Sequence, residues 1–201
     1  TRVRSSAASD VYKRQDMDRQ LIETTYEMRK LDTSEKIESF DCGDVDLNDF
    51  ILREAPLYQE ALLTTTYVAR VNNDVLAYFS LANDRVSLGD FESKTEFNRF
   101  RKHRFVNEKR LKSYPAVKIC RFAVNHCYAG SGIGTILMDF IKMYFLQNNK
   151  TGCRFVTVDA YLAAITFYEK NHFYPLQPND DDTHTRLLYF DLKEYKAAFQ
   201  K

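Results

Sequence analysis

Three glycines at alternating positions, Gly130, Gly132 and Gly134, lie between an apolar run and a helical pattern. The run before them, 117–124, is rich in β-branched and apolar residues, which predicts a strand. After them, apolar residues recur at helical spacing as far as Phe145, which predicts a helix. A strand, a glycine turn and a helix N-terminus together expose backbone N–H groups to an anion. This stretch is predicted to be a phosphate cradle, although a glycine turn that only allows close helix–strand packing has the same pattern.

The spacing of the glycines excludes two common phosphate-binding loops. The dinucleotide fingerprint requires G-x-G-x-x-G, whereas this chain has G-x-G-x-G followed by Thr135. The nucleotide-triphosphate loop requires Lys and then Ser or Thr directly after its last glycine. Here Thr135 and Ile136 follow that glycine, and the lysine is missing.

The residues around the glycines resemble a known family. The stretch PAVKICRFAV at 115–124, followed by YAGSGIG at 128–134, resembles the acetyl-CoA-binding motif of the GCN5-related N-acetyltransferases, the GNAT family. Downstream, FYEKNHF at 167–173 resembles the family's second hallmark, F-Y-E-x-x-G-F. The two motifs match in order and spacing. The resemblance implies an α/β chain with the GNAT fold, in which a mixed central β-sheet carries helices on both faces.

The resemblance also implies where acetyl-CoA binds. In the family, the pyrophosphate of coenzyme A rests on the backbone of the glycine loop, and the preceding strand binds the pantetheine arm. The N–H group of Val124, at the end of that strand, would face the thioester carbonyl and stabilise the oxyanion of acyl transfer. The implied contacts are Phe122, Ala123 and Val124 in the strand, and Ala129, Gly130, Ser131, Gly132, Ile133, Gly134 and Thr135 in the loop.

A tyrosine of the second motif has an implied catalytic role. The family places the general acid at the tyrosine of F-Y-E, which is Tyr168 here. A tyrosine with a pKa of about 10 can protonate a departing thiolate, whose thiol has a pKa of about 8.5. A core aromatic residue is the alternative role for Tyr168. The general base is not identified, since Glu38, Glu54 and Glu169 are candidates by residue type alone and water can take the proton of an aminoacyl ester.

Three residues depart from the family pattern. Ala129 stands where relatives usually have Gln or Arg, so one polar contact near the phosphates is missing. Cys120 occupies a position that is often glycine, and His172 replaces the glycine of the G-F ending. His172 either strains a turn or is accommodated there. None of the three removes the backbone N–H groups of the cradle.

A second, weaker resemblance lies in the N-terminal half. Its residues are similar to a segment of GNAT enzymes that act as toxins in toxin–antitoxin pairs, namely Phe40, Cys42, Gly43, Leu47, Phe50 and Leu52. An ordinary helix start capped by Asp44 would produce much of the same pattern, with Cys42 as a small buried hydrophobe. The resemblance implies aminoacyl-tRNA as acceptor and a ribbon–helix–helix antitoxin as partner.

Positive charge is concentrated in the segment 94–112. It contains eight Lys or Arg and two Glu, a net charge of +6, whereas the whole chain has a net charge of +1. Such local charge favours a polyanionic substrate, most simply RNA backbone. A helix with a solvated face, or a contact for an acidic partner, would also explain it. The candidate RNA-binding residues are Arg99, Arg101, Lys102 and Arg104.

The remaining residues are predicted to form the sheet that positions these groups. Strands are predicted at 26–31, 65–70, 75–81, 154–159 and 185–191, with a hairpin turn at 71–74 and a short helix at 162–170. The strand 185–191 is predicted to close the sheet, and a polar tail follows. Antiparallel pairing followed by helical crossovers indicates a mixed sheet with helices on both faces.

Composition restricts the class of protein further. No apolar run approaches the ~20 residues of a membrane span. Four cysteines without a C-x-x-C pair indicate reduced thiols and a cytoplasmic location. The run 180–182 is more typical of a solvated loop than of a metal site, so no metal is expected. Residues 1–15 resemble the translation of a sequencing adapter, or form a disordered tail, and 16–201 is expected to be a single domain.

These observations predict an acetyl-CoA-dependent N-acetyltransferase of the toxin type, which transfers acetyl directly to the amino group of aminoacyl-tRNA. An N-acetyltransferase for a small amine or a protein amine is one alternative, and a non-catalytic acyl-CoA-binding module is another. Regulation of a nucleic acid without chemistry would rest on the segment 94–112 alone. Because relatives often dimerise, a second copy of the chain is a further possible partner.

Overall fold

The computed structural model describes residues 26–106, 110–147, 151–177 and 183–199. Three features named above lie outside these residues: the adapter-like segment 1–15, Glu108 and Lys109 of the basic segment, and the aspartates 180–182. None of the helices in the described ranges has the length and hydropathy of a membrane span.

Strands and helices alternate through most of the chain. The strands are β1 Glu27–Lys30, β2 Thr65–Val71, β3 Asp74–Ser87, β4 Ser113–Val124, β5 Phe155–Tyr161, β6 Tyr174–Pro175 and β7 Thr185–Asp191. The α-helices are α1 Val45–Asp49, α2 Ala55–Glu60, α3 Lys94–Arg104, α4 Ile133–Gln147, α5 Ile165–Lys170 and α6 Leu192–Phe199. A π-helical turn, Phe50–Glu54, joins α1 to α2, and a 3₁₀ turn, His126–Tyr128, follows β4.

The strands form a mixed sheet in the order β1-β2-β3-β4-β5-β7-β6. β1 pairs antiparallel with β2, β4 pairs parallel with β5, and β7 is antiparallel to both of its neighbours. The predicted mixed α/β sheet is therefore confirmed. Two details were wrong, because the short β6 lies outside β7 at the edge and the segment after β7 is the helix α6, not a polar tail.

The described residues divide into two compact units. The first contains the described part of Thr1–Ser80 together with Arg121–Leu137, and the second contains Leu81–Cys120 with the described part of Met138–Lys201. Each has its own buried aromatic cluster. The single domain expected over 16–201 stays a prediction.

Tyr78 of β3 organises the core of the first unit. Its ring meets that of Phe40 edge-on at a centroid distance of 5.3 Å and stacks with that of Phe50 at 6.1 Å. Its hydroxyl donates a hydrogen bond to the Leu47 carbonyl at 2.7 Å. Asp44 caps α1 as predicted, by accepting from the Leu47 N–H at 3.0 Å. The toxin-like N-terminal segment thus contributes core residues and a capped helix.

The core of the second unit is aromatic and surrounds a buried carboxylate. Phe97 and Phe100 of α3 are both buried, and the Phe100 ring meets that of Phe155 at 5.6 Å. Asp191, only 3% exposed, accepts two hydrogen bonds from the Arg154 guanidinium, each 2.7 Å long. Such a bidentate pair compensates for the cost of burying the charge.

Candidate functional site

The glycine loop begins in a turn that is fixed to the first unit. The Asn125 N–H donates to the Leu76 carbonyl of β3 at 2.8 Å, and the Asn125 side chain accepts from the Cys127 N–H at 3.0 Å. The His126 N–H donates to the Asp41 carbonyl at 2.8 Å. The chain therefore leaves β4 along a defined path and enters the loop at Ala129, which is exposed.

Two of the three glycines adopt the conformation that requires glycine. Gly130 has φ of +77° and Gly132 has φ of +92°, both in the left-handed region that L-residues rarely enter. A Cβ at Gly130 would meet no heavy atom within 4 Å, so the space in front of it is open. A glycine that served only close packing would have neighbouring atoms there, so Gly130 does not have that role and the space is available to a ligand, as the space at Gly43 and Gly152 also is.

Helix α4 begins directly after these glycines. Its first intrahelical bond runs from the Ile136 N–H to the Gly132 carbonyl at 3.1 Å, which leaves the preceding N–H groups outside the helical ladder. Among the described residues, the N–H groups of Gly132, Gly134 and Thr135 have no acceptor. These donors and the positive end of the helix dipole form an anion site of the predicted kind.

The side chains of the loop have structural roles instead. The Ser131 hydroxyl donates to the Tyr128 carbonyl at 2.7 Å and accepts from the Ile133 N–H at 3.4 Å. The Ile133 side chain is 1% exposed and anchors the helix start. Ala123 of β4 is likewise buried, whereas Phe122 and Val124 are half-buried. Ser131, Ile133 and Ala123 can therefore contact a ligand mainly through their backbone, and the role of the Val124 N–H stays a prediction.

The second motif forms a particular helix ending. The Phe173 N–H donates to the Tyr168 carbonyl at 3.0 Å, and the His172 N–H donates to the Glu169 carbonyl at 2.9 Å. This pair of bonds defines a Schellman motif, which requires a left-handed residue just after the helix. His172 has φ of +64° and occupies that place. The glycine of the family motif thus has a physical explanation, and His172 is accommodated in a strained conformation.

Tyr168 is held rigidly at the last turn of α5. It is 5% exposed, and its ring contacts those of Phe167 and Phe173 edge-on at 5.3 and 5.5 Å. The contact with Phe173 is the apolar pair that usually accompanies a Schellman motif. Burial raises the pKa of Tyr168 well above its usual range. The hydroxyl therefore keeps its proton at neutral pH, as a proton donor must.

The candidate RNA-binding residues of α3 differ in their surroundings. Arg99 and Lys102 are exposed, whereas Arg101 donates to the Leu111 carbonyl at 3.2 Å. Arg104 donates to the Tyr189 hydroxyl, and its guanidinium lies 4.2 Å from the centre of the Phe100 ring.

Arg104 also lies 3.7 Å from the buried Asp191 carboxylate. Its charge is therefore engaged within the second unit, so Arg104 is less available to an RNA phosphate than Arg99 and Lys102 are.

The candidate general bases are exposed glutamates, and one additional polar cluster lies in the second unit. Glu38, Glu54 and Glu169 are all exposed, which does not distinguish one of them as the base. In the second unit, the Thr157 hydroxyl donates to the Asp84 carboxylate at 2.5 Å. Sequence reasoning missed Asp84 because the predicted strand ended at Leu81, six residues before β3 does at Ser87.

Comparison with known proteins gives one match to a family model. The model described as an acetyltransferase (GNAT) domain matches residues 64–175. A search of curated proteins finds no match.

Several solved structures resemble the chain in fold. A tyrosine-to-phenylalanine mutant of KacT is 21% identical, with a TM-score of 0.69 over 88% of this chain and 100% of that one. AtaT complexed with acetyl-methionyl-tRNAfMet is 22% identical, with a TM-score of 0.66 over 87% of this chain and 99% of that one. A mutant AtaT toxin bound to acetyl-CoA and to the C-terminus of the antitoxin AtaR is 20% identical, with a TM-score of 0.64 over 88% of this chain and 99% of that one.

Proposed function

Because this chain belongs to the GNAT acetyltransferase family, we propose that it is an acetyl-CoA-dependent N-acetyltransferase that acetylates the amino group of aminoacyl-tRNA by direct transfer. The observation that carries this proposal is the glycine loop, whose geometry suits a pyrophosphate. The acceptor class is supported by AtaT, which is similar in fold and is complexed with acetyl-methionyl-tRNAfMet. A toxin role and an antitoxin partner are supported by the mutant AtaT toxin bound to the C-terminus of the antitoxin AtaR, and the ribbon–helix–helix fold of that partner is part of the proposal.

The cradle residues would bind the pyrophosphate through their backbone. The N–H groups of Gly132, Gly134 and Thr135, at or just before the helix start, lack acceptors among the described residues. The open space at Gly130 admits a phosphate that any side chain would obstruct. Acetyl-CoA supplies an acetyl group that is activated as a thioester. Phe122, Ala123 and Val124 would align the pantetheine arm, and the Val124 N–H would polarise the thioester carbonyl.

Tyr168 would protonate the departing thiolate. Its raised pKa keeps the hydroxyl protonated in the resting enzyme, and the rings of Phe167 and Phe173 fix its orientation. Because the raised pKa makes this hydroxyl a weaker acid than the thiol, it would donate a hydrogen bond to the sulfur as negative charge develops there and pass on its proton only as the C–S bond breaks. The amine of an aminoacyl ester loses its proton more readily than a free α-amine does, so water can act as the base.

Arg99 and Lys102 would contact the tRNA backbone, with a smaller contribution from Arg101. Exposed cations bind phosphates by releasing counterions, which makes binding dependent on salt rather than on base sequence. A cytoplasmic location is part of the proposal, because charged tRNA and acetyl-CoA are used there.

Transfer of radiolabelled acetyl from acetyl-CoA tests this proposal. The acceptors are charged tRNA, deacylated tRNA, a free amino acid, a polyamine and a bulk protein mixture. We expect label on charged tRNA alone, recovered as N-acetyl amino acid after the ester is hydrolysed. Label on a polyamine or a protein instead would contradict the acceptor, and binding of acetyl-CoA without any transfer would contradict enzymatic activity.

Two tyrosine variants separate the role of Tyr168 from general effects. Tyr168→Phe should lower kcat by about 100-fold while it leaves the affinity for acetyl-CoA unchanged. Tyr174→Phe removes a hydroxyl from an exposed edge strand and should leave both quantities unchanged. Full activity of Tyr168→Phe would show that the thiolate is protonated by another group.

A further inference from the structure

A cysteine, a histidine and an aspartate stand together just before the glycine cradle, and the acetyl transfer uses none of them. The Cys127 sulfur lies 3.5 Å from Nε2 of His126. Nδ1 of His126 lies 2.9 Å from the Asp41 carbonyl oxygen and 3.6 Å from the Asp41 carboxylate. We propose that Cys127 is a reactive thiol, deprotonated by His126, which undergoes thiol–disulfide exchange with small disulfides and so controls access to the cradle.

The contacts of His126 determine which ring nitrogen carries its proton. A carbonyl oxygen only accepts hydrogen bonds, so Nδ1 must be the donor to Asp41. In the neutral ring, Nε2 then carries the lone pair, and Nε2 is the nitrogen that faces the Cys127 sulfur. The arrangement is that of a nucleophile, a base and a group that orients the base.

Asp41 is itself held in place. Its carboxylate accepts from the Gly43 N–H at 2.8 Å and from the Asn48 amide at 2.9 Å. The hydrogen bonds from Gly43 and then Asn48 lower the pKa of Asp41, and burial opposes them in part. A fixed Asp41 therefore holds the His126 ring with Nδ1 as the donor and Nε2 towards the sulfur.

Accessibility distinguishes Cys127 from the other three cysteines. Cys127 is exposed, whereas Cys42, Cys120 and Cys153 are half-buried. Burial raises the pKa of Cys42, and it raises the pKa of Cys153 to about 11. These thiols are less available as thiolates and less accessible, so exchange should be selective for Cys127.

The exchange needs only the Cys127 thiol, His126 and the disulfide. His126 takes the proton of the Cys127 thiol, and the thiolate attacks one sulfur of the disulfide. A new disulfide joins Cys127 to half of the reagent, and the other half leaves as a thiolate that takes the proton from His126. No other oxidant is needed, and an excess of a small thiol reverses the reaction.

The consequence for the cradle rests on the proposed function. Cys127 lies one residue before Tyr128, whose carbonyl accepts both the N–H and the hydroxyl of Ser131. Ala129, the next residue, has no long side chain that would fill the loop entrance. A group attached to the exposed Cys127, three residues before Gly130, would add bulk next to the loop, and we expect it to weaken the binding of acetyl-CoA.

Thiol reactivity of the protein without acetyl-CoA tests the proposal. The chromogenic aromatic disulfide DTNB should react rapidly with one thiol per native chain, and peptide mapping after treatment with glutathione disulfide should locate the adduct at Cys127. Cys127→Ser should abolish the fast phase. His126→Gln should slow it by about tenfold, and the matched control His103→Gln, an exposed histidine on α3, should leave it unchanged. In denaturant, the thiols of all variants with four cysteines should react alike.

Two results would overturn the proposal. One is a fast phase that maps to another cysteine, and the other is a rate for His126→Gln equal to that of the wild type. Thiolation of Cys127 should also raise the Kd for acetyl-CoA at least about tenfold, reversibly with dithiothreitol, and an unchanged Kd would refute the control of the cradle. Failure of the untreated protein to bind acetyl-CoA would count against the proposed function only, since the reactivity of Cys127 is measured without that ligand.

Discussion

Replacement of His172 by glycine should stabilise the protein. His172 has φ of +64° at the position after α5. A left-handed conformation costs an L-residue about 1–2 kcal/mol, although histidine tolerates it better than most residues do. Glycine removes that cost but loses about 0.5–1 kcal/mol through the greater freedom of the unfolded chain. We therefore expect His172→Gly to raise the free energy of unfolding by about 0.5–1 kcal/mol.

Urea unfolding followed by circular dichroism measures this change as a shift of the midpoint at constant m-value. His172→Val should destabilise the protein by about 1 kcal/mol or more, because a β-branched residue is strained at positive φ. Lys170→Gly, in the helical last turn of α5, should cost about 1 kcal/mol. The opposite signs for glycine at 172 and at 170 are the critical result. If His172→Gly were destabilising, the Schellman account of the second motif would be refuted.

Three other predictions concern buried and exposed charges. Burial raises the pKa of Tyr168 in the folded protein, whereas in the unfolded chain this tyrosine ionises near pH 10. The free energy of unfolding therefore falls as the pH rises above about 10, because only the unfolded chain loses the proton there. Above that pH, the free energy of unfolding should fall less steeply for Tyr168→Phe than for the wild type, by about 1.4 kcal/mol per pH unit. Equal slopes of unfolding free energy against pH, measured by urea unfolding, would contradict this. Lys142 is 1% exposed and pairs with Asp139 at 3.2 Å. Asp139→Asn should lower the free energy of unfolding by about 2 kcal/mol, which is less than for a fully buried pair because Asp139 is half-exposed. Lys142→Met should change the free energy of unfolding by less than about 1 kcal/mol. Equal losses in the two variants would contradict this expectation. Reversal of Arg99 and Lys102 to Glu should weaken tRNA binding and reduce its salt dependence by about two counterions without changing the affinity for acetyl-CoA, and an unchanged tRNA Kd would exclude α3 from the interface.

The strand–loop–helix of the cradle was predictable from local pattern. The start of α4 is predicted by short-range patterns in the sequence. These patterns are the β-branched residues of the strand, the glycines of the turn and the apolar residues at helical spacing. The cap at Asp44 and the hairpin between β2 and β3 were predictable for the same reason. The seven-strand order and the edge position of β6 depend on pairings between distant segments, and a strand of two residues has no pattern of its own.

The partners of charged residues were not predictable from local pattern. Arg104 belongs to a dense basic segment, but its contacts are Tyr189 and Asp191, more than eighty positions away. The contact of His126 with Asp41 likewise joins residues 85 positions apart, although Cys127 directly follows His126 in the sequence. Charge density indicates that a segment is cationic, and only tertiary structure decides which cations remain available to a ligand.

The central claim is that the glycine loop binds the pyrophosphate of coenzyme A, and calorimetric affinities for acetyl-CoA and S-acetylpantetheine test it most directly. The wild-type protein should bind acetyl-CoA at least about 100-fold more tightly, since several charge-assisted hydrogen bonds contribute about 1.5–3 kcal/mol each. Gly130→Ala, which places a methyl group in the open cradle, should bring the two affinities close together. The matched control Gly43→Ala, at φ of +85° outside the cradle, should keep the wild-type ratio. An unchanged ratio in Gly130→Ala would contradict the claim.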